Sequence, residues 1–134
     1  MSKFHKYQTQ IKDEAALVAA LQEMGYHPEV GKDLPLYGFR GDRRAETADV
    51  VVRRREIGGM PNDVGFKRGE DGTYEAVVSE YDMRFGFRWQ QRKAEVLRRY
   101  QTAVAILRLK RAGVPYAVQQ QPGGGVRIVA KMAG

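Results

Sequence analysis

Catalysis near neutral pH needs groups that gain or lose a proton there, and this chain offers two histidines, His5 and His27. They are far apart in sequence and lack the spacing of a metal site. Each reads as structural or exposed. The serines are Ser2 and Ser79, and neither lies in a Gly-x-Ser-x-Gly turn that would present an activated nucleophile. Two acid pairs, Glu70 with Asp71 and Glu80 with Asp82, have the residue types for acid and base work or for a hard cation. The first pair belongs to a turn. The second sits where a strand gives way to a helix, a place where acids favour the helix dipole. Gly123-Gly124-Gly125 suggests a phosphate loop, but it opens no helix and lacks the Lys-Ser/Thr that engages phosphate and magnesium. With no cysteine, thiolate metal sites and cysteine nucleophiles are excluded. The expectation is a protein without enzymatic activity, metal or cofactor.

The segment Arg88-Trp89-Gln90-Gln91-Arg92-Lys93 is chemically richer, because arginine grips phosphate and carboxylate while an aromatic ring can stack on a base. Its setting is a strong charge division. Residues 1–83 carry 12 basic and 15 acidic side chains, a balance of −3; residues 84–134 carry 11 basic ones and a single acid, Glu95, a balance of +10. Such a basic third points to an anionic partner, to an acidic protein surface or to another copy of the chain. It also fits a helix merely kept soluble by its charges. At about 100° per residue, Arg88, Arg92, Arg99 and Lys110 fall on one side of a helix, and Trp89, Val96, Leu97, Tyr100, Ala103, Val104 and Leu107 on another. Trp89 therefore reads as core, which leaves nucleic acid binding to charge alone.

The elements that must hold these residues follow from punctuation and period. Phe4 to Ile11 reads as a strand running into Asp13, a helix N-cap. Ala16, Leu17, Ala20, Leu21 and Met24 recur at helical spacing up to Gly25, with Tyr26 placed to close the helix. His27 to Val30 reads as a strand, 31–35 as a turn, 36–40 as a short extended piece and Gly41-Asp42 as the next turn. Thr47 to Ile57 reads as one long β-branched strand whose arginine end emerges into solvent. After a glycine-rich loop, Val64 to Lys67 and Thr73 to Ser79 form a hairpin around Asp71-Gly72. A long helix spans about 87–112, and Tyr116 to Gln120 with Val126 to Met132 make a final hairpin.

At 134 residues, 43% hydrophobic and 29% charged, the chain has the makings of one globular domain, 1–134. No apolar run reaches the ~18–20 residues that span a bilayer, and no secretory leader is visible, so a cytoplasmic protein without a membrane partner is expected. The fold class is α+β: a mostly antiparallel sheet with two helices on one face, its nearest template a ferredoxin-like arrangement with extra strands.

Read end to end, the chain resembles a family of small proteins of unknown function from cyanobacteria, other bacteria and algal plastids, the conserved plastid hypothetical reading frame thirty-five family. The likeness lies in Met1-Ser2-Lys3-Phe4, in Thr9 to Asp13, and in the helix closing with Leu21-Gln22-Glu23-Met24-Gly25-Tyr26. It continues through Tyr37 to Gly41, Ala48 to Arg53, Val64-Gly65-Phe66 and Tyr74 to Val77, and ends in Leu97 to Gln101 and the aliphatic hairpin at Val126 to Val129. The family's basic-aromatic ending is replaced here by Lys131-Met132-Ala133-Gly134. The resemblance brings no catalytic residues, and its genomic context implies an accessory role beside an AAA-type ATPase. The expected function is thus an adaptor that docks an acidic protein, such as that ATPase, through Arg88, Arg92, Arg99 and Lys110. The alternative is a nucleic-acid-binding module gripping phosphates with the same face. Open sheet edges also allow a homodimer, though no residue demands one.

Overall fold

The computed structural model describes residues 3–131; Ser2 and Met132 lie outside them. In chain order the elements are β1 (Phe4–Gln8), α1 (Glu14–Glu23), β2 (Glu29–Tyr37), β3 (Arg43–Val52), β4 (Val64–Arg68) and β5 (Tyr74–Ser79). There follow α2 (Glu80–Arg84), α3 (Trp89–Arg111), β6 (Tyr116–Gln120) and β7 (Val126–Ala130). The class is α+β, with an antiparallel five-stranded sheet ordered β1-β5-β4-β3-β2 and a separate two-stranded sheet of β6 and β7. No described helix is long and apolar enough to cross a membrane. The ferredoxin-like connection is not kept. There the strand after the second helix returns to the main sheet, whereas here, among the described residues, β6 and β7 pair only with each other and β1 closes against β5.

Strand alternation divides the core in two. Val50, Val52, Val64, Phe66, Tyr74, Ala76 and Val78 face α1 and α3, where Leu17, Leu21, Val96 and Tyr100 complete the larger cluster. Each fully buried Val, Leu or Phe here contributes about 1.5–3 kcal/mol. The opposite face holds a smaller cluster of Phe4, Leu36, Ala48, Val51 and Val77 with no helix over it. The β2–β3 hairpin itself supplies the cover. It curls across the back of the sheet until the guanidinium of Arg44 lies over the Phe4 ring, 5.1 Å from its centroid. Gly65 is the point of closest approach: an added Cβ would stand 2.5 Å from that of Ala48.

α1 begins where Asp13 accepts a hydrogen bond from the Ala16 amide, and it ends at Gly25, φ 95°, with the Tyr26 amide donating to the Leu21 carbonyl. Two expectations change. The turn at 31–35 is absorbed into a continuous β2 as a register shift between Val30 and Leu34, with Asp33 at φ 52°. The Asp49 carboxylate satisfies the Asp33 amide there, so the chain bulges instead of reversing. The long strand stops at Val52, and Arg54–Glu56 form a 3-10 turn. Its arginines do not simply emerge into solvent. Arg53 is held among Glu29, the Pro35 carbonyl and Asp63, and the Arg54 amide donates to Asp63.

Candidate partner-binding face

α3 is 23 residues long, about 35 Å at 1.5 Å per residue. Its apolar stripe buries Trp89, Val96, Tyr100 and Ala103, so the tryptophan is core as its position implies. Beside this apolar packing, α3 makes polar contacts with the residues that flank and end α1. The Tyr100 hydroxyl accepts from the amides of Lys12 and Asp13, at 2.9 and 3.0 Å, satisfying two donors that no helical carbonyl reaches. Arg111 pairs with Asp13. Burial alone would push the Asp13 carboxyl up, but the Ala16 amide and Arg111 together hold it below its ordinary value.

Of the four basic residues singled out in the sequence, Arg92, Arg99 and Lys110 lie on one line of α3 and Arg88 immediately precedes it, and they are not equally available. Arg92 is half-buried and donates to the Tyr26 hydroxyl at 2.7 Å. Arg99 reaches Glu23 at the end of α1 and Glu95 one turn back. Arg88 and Lys110 are exposed at opposite ends, Arg88 in the left-handed conformation at φ 59° that turns the chain into the helix. The line is therefore partly a seam between helices. Its free charge lies at the ends and on neighbouring positions. Among the described residues Arg88, Lys93, Arg98, Arg108, Lys110 and Arg127 have no acidic partner, whereas Arg99 and Arg111 take the acids that α3 meets.

The β6–β7 hairpin leans on α3 through β7 and opens away from it, and none of its residues is fully buried. A cleft of about 480 Å³ separates hairpin from helix. Arg98, Arg99 and Thr102 give it polar walls, and Ile106, Val118 and Val126 give it an apolar floor. Val118 and Val126 stay 44% and 36% exposed. An isolated two-stranded hairpin is marginal in water, and here its uncovered valines sit beside unpaired arginine.

The acid and histidine candidates do not converge. His5 pairs with Glu80, and His27 with Glu56, at separate places on the surface. Asp71 accepts from the Thr73 hydroxyl and amide and stays in its turn. Asp82 is fully buried: it accepts from the Asn62 amide, the Asn62 side chain, Ser79 Oγ and the Phe87 amide. Beside it Asn62 accepts from the Phe39 amide, and Asp63 from Tyr37, Arg53 and Arg54. The serine and the acid thus belong to a saturated polar network that pins the 53–63 segment and α2 to the sheet.

A family model matches residues 20–129, from within α1 into β7. The chain belongs to the DUF1257 family, described as a protein of unknown function. The DUF1257 match takes in the buried network, α3 and the cleft, and leaves β1 outside. No curated protein and no solved structure matches the chain.

Sequence reasoning about this DUF1257 chain missed three features. Arg53 is one, since its neighbours Glu29 and Asp63 lie far away in sequence. Burial would lower its basicity, yet hydrogen bonds to Asp63 and Glu29 raise it. The second is the exposed ring pair of Tyr81 and Phe85, centroids 5.5 Å apart, on the short helix that was not anticipated. The third is the cleft, which needs two elements at once.

Proposed function

We infer that this DUF1257 protein is a non-enzymatic adaptor that docks an acidic segment of a partner protein on the basic side of α3, with the cleft beside the β6–β7 hairpin taking an apolar side chain of that segment. One observation carries the reading: the +10 of residues 84–134 is left largely unneutralised by the fold, while an amphipathic cleft opens among those cations. Arginine suits such a surface because its planar fork binds carboxylates bidentately. The resemblance to the plastid reading-frame family makes an AAA-type ATPase the first partner to test, and the cytoplasm the setting.

The exposed Tyr81 and Phe85 rings favour a second reading, since Arg84 and Arg88 lie close by in sequence. Rings and guanidiniums together can stack on and grip a single-stranded nucleic acid. A pull-down from native extract, with and without nuclease, at low salt and at about 0.3 M, separates the two. The comparison is wild type against Arg88→Glu/Arg98→Glu/Lys110→Glu. The adaptor reading expects a protein that survives nuclease and is lost from the variant. Recovery of RNA or DNA alone would pass the case to the second reading.

A further inference from the structure

Among the described residues β1 is an edge strand: it pairs with β5 and with nothing on its other side. The register sets which of its backbone groups are spent. Phe4 lies opposite Ser79 and Gln8 opposite Glu75, and the Lys3 carbonyl accepts from the Glu80 amide. In an antiparallel ladder, bonded pairs alternate, so residues 3, 5 and 7 turn their amides and carbonyls toward β5. Phe4, Lys6 and Gln8 turn theirs outward, unpaired. At the C-terminal end of this edge, where residues 8–11 pass beneath the start of α3, lies an apolar recess of about 520 Å³. Ile11, Trp89, Ala94 and Leu97 line it, with Lys93 at its side.

We propose that the β1 edge binds an extended segment of a partner protein by strand addition, with an apolar side chain of that segment in the Ile11–Trp89–Ala94–Leu97 recess and flanking carboxylates meeting Lys6 and Lys93. Backbone bonds to Phe4, Lys6 and Gln8 supply affinity that any extended chain can claim. Specificity comes from side chains, because every second residue of an added strand points to the α3 side of the sheet, where the recess lies. The charge of the occupant follows from the edge itself. Lys6 and Lys93 are exposed and carry no acidic partner among the described residues; of the acids beside the strand, Glu75 stands opposite Gln8 and Glu80 is held by His5. The same charge disfavours a second copy of this chain. Two β1 strands meeting about a two-fold axis would set Lys6 against Lys6 with no acid between them, and like charges across a strand pair destabilise it.

This site is independent of the acidic docking face described above. Lys93 stands about 140° around α3 from Arg98 at 100° per residue, and the recess shares no residue with the hairpin cleft. A displayed library of random peptides of about ten residues, long enough for one strand, is panned against the full chain. Enriched peptides should alternate apolar and acidic residues. Binding should fall at least about tenfold, near 1.4 kcal/mol, in Ala94→Trp, which plugs the recess from an exposed position. It should fall similarly in Lys6→Pro, which removes an outward amide that β5 does not use. Charge reversal at Arg88 and Lys110 should leave it unchanged. In the wild-type chain the bound peptide should slow hydrogen exchange at the Lys6 and Gln8 amides, a readout that needs no variant. Peptides indifferent to Ala94→Trp without slowed exchange, peptides lost with Arg88 and Lys110, or a library that yields no binder would each overturn the proposal. Self-association abolished by Ala94→Trp would overturn it in favour of a second copy.

Discussion

Replacing Gly65 with alanine tests whether the β2–β3 hairpin lies against the back of the sheet. The new methyl would stand 2.5 Å from Ala48 Cβ and 3.2 Å from a Leu36 methyl, where carbon atoms prefer 3.5–4.0 Å. Leu36 can turn aside. Ala48 cannot, since its Cβ is fixed to a strand hydrogen-bonded to its neighbours, so the strands must part by about 1 Å. Overpacking of this kind costs about 1–3 kcal/mol. Taking 2 kcal/mol, and about 4 °C per kcal/mol for a domain of this size, Tm falls by about 8 °C. Ala48→Gly alone should cost about 1 kcal/mol through backbone entropy. In the double variant the colliding methyl is gone, so its loss should be smaller than the sum of the two by about 1–2 kcal/mol. Thermal and urea unfolding followed by circular dichroism gives all four corners of the cycle. Losses that simply add, within about 0.5 kcal/mol, would show that the two residues do not touch and that the hairpin does not cover the sheet.

Tyr100→Phe should cost about 1–3 kcal/mol in urea unfolding and speed hydrogen exchange at Lys12 and Asp13, whose amides lose their acceptor. Asp82→Asn should cost about 2–3 kcal/mol, because a side-chain NH₂ must then face one of four donors in a buried site; an unchanged urea midpoint would contradict the network. Asp13→Ala should lose about 1 kcal/mol of helix capping at pH 7. The Asp13 carboxyl titrates below its unfolded value, so its contribution is whole above about pH 4 and fades as pH falls through the lower folded value. Stability curves of wild type and variant should therefore converge in acid, and a constant gap down to pH 2 would refute the assignment.

Local signals in this chain were legible and distant ones were not. Asp13, Gly25 and the apolar spacing of α1 and α3 declare themselves within a few residues, as does the Asp71-Gly72 hairpin. The glycine and aspartate at 31 and 33 carry the same local signal as a turn, but Asp49 and Lys67 from neighbouring strands convert it to a bulge. The arginine run failed for a similar reason, because Asp63 ends β3 from ten residues away. Arg92, Arg99 and Lys110 form one line along α3, as helical periodicity places them, with Arg88 ahead of it as the N-cap. What periodicity could not show was that Tyr26 and Glu23 of α1's end would occupy its middle. Glu80 and Asp82 show the same limit: as an acid pair they resemble chemistry, and only Asn62 and Ser79, which donate to it, reveal Asp82 as structure.

The pairing of β1 with β5 also sets a timetable for the chain on the ribosome. His5 finds its partner at Val78, 73 residues later, and at about 5–20 residues per second that gap lasts roughly 4–15 s. Through that interval α1 has emerged without the sheet that buries Leu17 and Leu21, and β1 waits with both edges bare. The β2–β4 meander can form meanwhile from its nearest neighbours, and β5 joins it as the interval ends. β1 is then the last strand added to a sheet already built, an order in which a passing extended segment competes with the chain's own strand for the β5 edge.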